Sequence, residues 1–88
     1  MKEHMSQDTI AETVGRFIKR NFLFDENAEL SRDKSLLGSG VIDSTGVLEL
    51  IAFLEQQYQL KLDDSELVVE NFDTVEKIEA FILRKTTT

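Results

Sequence analysis

Leu36-Leu37-Gly38-Ser39-Gly40-Val41-Ile42-Asp43-Ser44-Thr45-Gly46-Val47-Leu48-Glu49-Leu50 is the stretch on which the reading of this 88-residue chain turns. Three of the four glycines, Gly38, Gly40 and Gly46, crowd around one Asp-Ser pair. Upstream of the pair there is no hydrophobic period. Downstream, Val47, Leu50, Ile51, Leu54 and Tyr58 recur at helical spacing on one stripe, which predicts a helix over residues 44–59. The pair stands where a flexible, close-approach loop becomes an amphipathic helix. Leu48, Ala52 and Glu55 fall on another side, so Leu48 is an apolar residue that the core stripe does not require.

Working outward, Ile10, Val14, Phe17, Ile18 and Asn21, closed by Phe22 and Leu23, form a second helical stripe. Thr9-Ile10-Ala11-Glu12 in front of it fits a capping box, in which Thr and Glu each satisfy an otherwise orphaned amide, so the first helix is predicted over residues 9–23. The connection over residues 24–43 is long for a compact domain. Apolar residues Leu30, Leu36, Leu37, Val41 and Ile42 along it imply that it is pinned to the core, with a short helical turn over residues 33–37. Asp63-Asp64-Ser65-Glu66 supplies cap-type residues and first-turn acids before Leu67-Val68-Val69, which predicts a short third helix. Phe72 is expected to plug the core between elements. A fourth helix starts at Asp73-Thr74-Val75-Glu76, buries Val75, Ile78, Phe81 and Ile82, and places Arg84 and Lys85 at its C-terminal dipole. Residues 1–7 and 86–88 read as mobile tails. The whole is an all-α, four-helix single domain with no strand alternation, proline, repeat or internal linker.

Composition limits what such a domain does. A chain of this size buries about 60–65% of its unfolded surface, so its core is economical. No cysteine is present, which removes disulfides, thiolate metal sites and a cysteine nucleophile. Ten Lys and Arg against seventeen Asp and Glu give a net charge of −7, which repels phosphate backbones and anionic membrane surfaces, so no nucleic acid and no membrane partner is expected. The first residues lack an apolar signal core, and no run approaches the ~20 apolar residues that span a bilayer. A cytoplasmic monomer is the expectation.

Several constellations fail on their spacing. Gly38-Ser39-Gly40-Val41-Ile42-Asp43 begins like a dinucleotide loop, but Asp43 holds the third glycine position and no strand precedes it. No Gly-Lys-Ser/Thr follows to cradle a phosphate. Asp25-Glu26-Asn27-Ala28-Glu29-Leu30 opens like a calcium loop, yet Leu30 and Leu36 occupy the glycine and bidentate-acid positions. A Ser-His-Asp hydrolase has His4 as its only histidine, and no second base is in view for Ser44.

Ser44 has two readings. Ser and Asp are favoured N-caps, contributing about 0.5–2 kcal/mol, and an Asp-Ser pair before an apolar stripe needs no further explanation. Against this, Gly46 inside the first turn costs roughly 0.5–1 kcal/mol relative to alanine, and small flanks suit a modifying enzyme that must approach the backbone. A phosphodiester on Ser44 also sits well at a helix N-terminus, where unpaired amides and the macrodipole favour negative charge. Asp43 is able to cap the helix and leave the Ser44 hydroxyl free.

With these residues in view, the segment resembles the modification site of acyl carrier proteins, in which the serine of an Asp-Ser-Leu-type motif carries a phosphopantetheine arm. The four-helix order with its long first connection and short third helix is similar to that family along nearly the whole chain, though only residues 37–50 are specific. The resemblance implies a non-catalytic carrier. Ser44 would bear 4'-phosphopantetheine transferred from coenzyme A by a phosphopantetheinyl transferase, with Asp43 supporting that enzyme and its metal. An acyl or aminoacyl cargo would ride as a thioester between ligases and transferases. Leu48 beside Glu49 matches the family's recognition face, and Thr45 and Glu55 complete the candidate docking residues. Thr45 departs from the family leucine and Gly46 from the acid that often follows. Together with the few acids on the second helix, this points to a free-standing carrier of a specialised pathway. The alternative is an unmodified acidic adaptor docking a basic protein through the second and third helices.

Overall fold

The computed structural model describes residues 9–25 and 27–86. Helix α1 spans Ile10–Ile18 and starts in the expected capping box, the Glu12 amide donating to Thr9 Oγ1 (3.0 Å) and the Thr9 amide to Glu12 Oε1 (3.1 Å). It widens into a π turn, Lys19–Leu23, and ends at Phe24 in the left-handed region (φ 55°). Helix α2 spans Ser44–Tyr58, α3 is a single turn at Val69–Phe72, and α4 spans Val75–Thr86. No strand is present among the described residues.

Each helix buries one face. Val14 and Ile18 of α1, Leu50, Ile51 and Leu54 of α2, and Val75, Ile78, Phe81 and Ile82 of α4 form one core, with α1 lying against α4. Phe17 stacks on Phe53 at 4.1 Å, fastening α1 to α2. Phe72 is buried as the sequence implies and meets Phe81 edge-on at 5.3 Å.

The long connection is irregular but tied down. Leu36 and Ile42 are buried in the core. Its backbone joins the α3–α4 region through Leu36 N–H to Asp73 O (2.6 Å) and Glu76 N–H to Arg32 O (3.0 Å), and Arg32 pairs with Glu79. The helical turn expected at residues 33–37 falls slightly later, where Ser39 and Gly40 donate to Ser35 and Leu37 carbonyls at 3.1 and 3.2 Å.

The third helix differs from its expected position. The acidic cap builds only a 3-10 turn, Asp64–Glu66, with the Asp63 amide on Glu66 Oε1 (2.9 Å). Leu67 (φ −86°, ψ 66°) then makes an inverse γ-turn, Val68 N–H returning to Glu66 O at 2.9 Å. Asn71 Nδ2 occupies the same carbonyl at 2.8 Å, so the bond that would continue a helix is already taken. The helix restarts at Val69. Of the tails expected at residues 1–7 and 86–88, all but Thr86 lie outside the described residues, and Thr86 belongs to a helix and not to a tail. Thr86 closes α4, its hydroxyl donating to Ile82 O at 2.8 Å.

Candidate functional site

The Asp43-Ser44 pair is set from both sides. Ile42 is buried and its amide donates to Leu36 O (3.1 Å), which delivers an extended Asp43 (φ −96°, ψ −177°) to the start of α2. Asp43 Oδ1 accepts the Gly46 amide at 2.7 Å, and its carbonyl accepts the Val47 amide at 3.0 Å. Asp43 is therefore the cap, and Ser44 is the first helical residue. Ser44 is exposed, and its hydroxyl has no hydrogen-bond partner among the described residues. Among the described residues nothing accepts from the Ser44 and Thr45 amides at the positive end of this helix of 15 residues, which fits a phosphate ester on the Ser44 oxygen.

The glycines have a reason other than enzyme approach. Gly46 is buried, and a Cβ there would stand 2.8 Å from the Phe22 ring and 3.0 Å from Ile42 Cγ2. Its absent side chain is what lets the π turn of α1 lay Phe22 on the first turn of α2. Gly40 has φ +83°, which only glycine adopts without strain.

Ser44 lies on the edge of an apolar groove of about 220 Å³ floored by Val47, Ile51 and Phe72 with Leu37 at one side. Its lips are Leu48, Leu67, Val68 and Val69, which are 65%, 40%, 41% and 56% exposed. Sequence reasoning placed Leu67–Val69 in a helix and missed that they face outward beside Ser44. The available signal was three consecutive apolar residues with no helical partner stripe.

On the opposite flank of α2 a second cleft, about 340 Å³, is lined by Phe24, Val41, Asp43, Thr45 and Glu49, with Phe24 83% exposed. The candidate docking residues thus divide. Leu48 belongs to the groove, while Thr45 and Glu49 face the other cleft. Glu55 turns back, its Oε2 accepting the Leu62 amide at 3.0 Å to fix the chain after α2. Glu66 is also engaged: the Asp63 amide, and then Lys85 Nζ at 3.1 Å, hold its carboxyl below the usual carboxylate range. Asp43 is committed to the cap rather than turned to the Ser44 hydroxyl, and His4 lies outside the described residues.

Comparison with known proteins places the chain in a family. The family model described as "Phosphopantetheine attachment site" fits residues 8–82. The D-alanyl carrier protein of Streptococcus pyogenes serotype M1 is 39% identical over 70 residues, covering 80% of this chain and 86% of that protein. The D-alanyl carrier protein of Streptococcus uberis (strain ATCC BAA-854 / 0140J) is 41% identical over 56 residues, covering 64% of this chain and 71% of that protein. A chain in a crystal structure described as that of an FAD-dependent dehydrogenase superimposes with a TM-score of 0.65 at 33% identity, over 77% of this chain and 96% of that one. The fold and site define a phosphopantetheine-dependent carrier. The chain belongs to the phosphopantetheine attachment site family, with the all-α bundle of acyl carrier proteins.

Proposed function

We propose that Ser44 is the attachment residue and that the cargo is an amino acid, held for partner enzymes without catalysis by this chain. The observation that carries the site is the solvent-facing Ser44 hydroxyl, which has no hydrogen-bond partner among the described residues because Asp43 performs the capping. In loading, the Ser44 oxygen forms a bond to phosphorus of coenzyme A and the nucleotide half departs. The serine proton goes to a base of the transferase. The arm supplies a terminal thiol on which cargo is carried as a thioester.

This chain's own residues then present the cargo. Leu48, Leu67, Val68 and Val69 give partners an apolar contact around the arm, and tethering raises effective concentration so that weak docking suffices. The D-alanyl carrier relatives support the aminoacyl class, and Thr45 and Gly46 in place of the family pattern set the chain apart from fatty-acid carriers.

The test is to load the arm-bearing protein with radiolabelled D-alanine, ATP and a D-alanine-activating ligase, beside a bacterial fatty-acid elongation set. An alanyl thioester with poor elongation is expected. Efficient growth of a long acyl chain with no alanylation would overturn the aminoacyl assignment.

A further inference from the structure

We propose that Asp73 is a positioning residue for the loading of Ser44, a clasp that holds the approach loop and the α3 side of the groove in one arrangement. The inference rests on Ser44 being the attachment residue.

Asp73 follows Phe72 at the end of α3 and gathers the loop from across the molecule. Ser35 Oγ donates to its carboxylate, 2.9 Å from each oxygen. The Leu37 amide donates to Oδ1 at 3.2 Å, and the Leu36 amide to the Asp73 carbonyl at 2.6 Å. Ser35 Oγ in turn accepts the Gly38 amide at 2.9 Å. Gly38 leaves room for this arrangement, because a Cβ there would stand 2.7 Å from Ser35 Oγ.

The consequence reaches Ser44 in two steps. The carboxylate fixes the Leu37 amide, and Leu36 beside it, whose own amide rests on the Asp73 backbone carbonyl, accepts the Ile42 amide through its carbonyl, so the segment that ends in Asp43 leaves from a held point. Leu37, at one side of the groove beside Ser44, is tied through the same carboxylate to the residue that follows Phe72 of the groove floor. Asp43 fixes the helix end but makes no such link. Hydrogen bonds to an ionised carboxylate are the strong kind, and a transferase that docks on a preset loop spends none of its binding energy ordering it.

The experiment is steady-state loading from coenzyme A by a broad-specificity phosphopantetheinyl transferase on wild type, Asp73→Ala, Asp73→Asn, Ser35→Ala and the Asp73→Ala/Ser35→Ala double variant. Removing the clasp should raise KM for the carrier about tenfold with kcat within about twofold, the size of one charge-assisted hydrogen bond. Asp73→Asn, which keeps one acceptor, should fall between. The double variant should lose less than the two single effects combined, because the Ser35–Asp73 contact is common to both. Ile78→Val is the destabilised control, taking a methyl from a buried site of α4, and should load as wild type. If Asp73→Ala does not fold, Ser35→Ala and Asp73→Asn decide the matter. Wild-type KM in the folded clasp variants, or an equal rise in Ile78→Val, overturns the positioning role. Failure of wild type to accept the arm at Ser44 overturns the site assignment instead.

Discussion

Residues 24–43 and residues 60–72 flank α2 and look mismatched to their behaviour. The first has no hydrophobic period, yet it places Leu36 and Ile42 in the core and carries hydrogen bonds to Asp73 and Glu76. The second reads as cap, acids and aliphatic run, the pattern of a helix, yet it breaks into a 3-10 turn, a γ-turn and one helical turn that leave Leu67, Val68 and Val69 exposed. Regular structure is therefore not the measure of rigidity here. The irregular segment holds Ser44 in place, and the aliphatic segment supplies surface beside it.

Truncating one apolar side chain in each region should separate them most sharply. Leu36→Ala removes a fully buried side chain and should destabilise by about 2–5 kcal/mol. Val69→Ala should stay within about 0.5 kcal/mol, since its side chain is mostly exposed. Urea denaturation of the two variants checks this, and similar losses would mean that the Leu67–Val69 run is part of the core.

Gly46→Ala tests where the irregular segment and α1 meet the helix. On a free helix alanine would gain up to about 1 kcal/mol, whereas overpacking against Phe22 and Ile42 should cost about 1–3 kcal/mol, so the melting temperature should fall. A rise would show that Phe22 gives way and that the small residue serves enzyme approach after all.

Leu48→Glu acts on the exposed lip. Stability should change by less than about 0.5 kcal/mol, while transfer of cargo to or from partner enzymes is impaired. Wild-type turnover would remove Leu48 from the docking face. The smallest effect is expected at Glu66. Its pKa is lowered on folding, so its contribution is complete above the unfolded value and is lost as pH falls through the folded one. Wild type and Glu66→Gln should therefore differ slightly in melting temperature at neutral pH and converge below the ordinary glutamate range.

Much of this arrangement was legible in the sequence, because α1, α2 and α4 each announce a buried stripe and Thr9 and Asp43 are local caps that pattern alone reveals. What was hidden depends on distant partners. The helix expected at residues 63–69 fails because Asn71 takes the Glu66 carbonyl, and Gly46 is small because Phe22 of another element lies on it. Asp73 reads as the start of α4, but its carboxylate serves Ser35, which is 38 residues away. Glu55 reads as a candidate docking acid, and its carboxylate holds the Leu62 amide. At the candidate site, Ser44 was singled out by its neighbours, while the lip formed by Leu67–Val69 was not, since outward-facing aliphatics and a short buried helix share one pattern.

The central claim is that Asp43 caps α2 so that the Ser44 oxygen is free to carry the arm. Intact mass and peptide mapping of wild type and Ser44→Ala, after incubation with coenzyme A and a broad-specificity phosphopantetheinyl transferase, test it most directly. Wild type should gain one phosphopantetheine group on the peptide containing Ser44, and Ser44→Ala should gain none while keeping wild-type helicity. An unmodified wild type would leave the acidic adaptor as the reading, and modification of Ser44→Ala at Ser39 would contradict the assignment of the site.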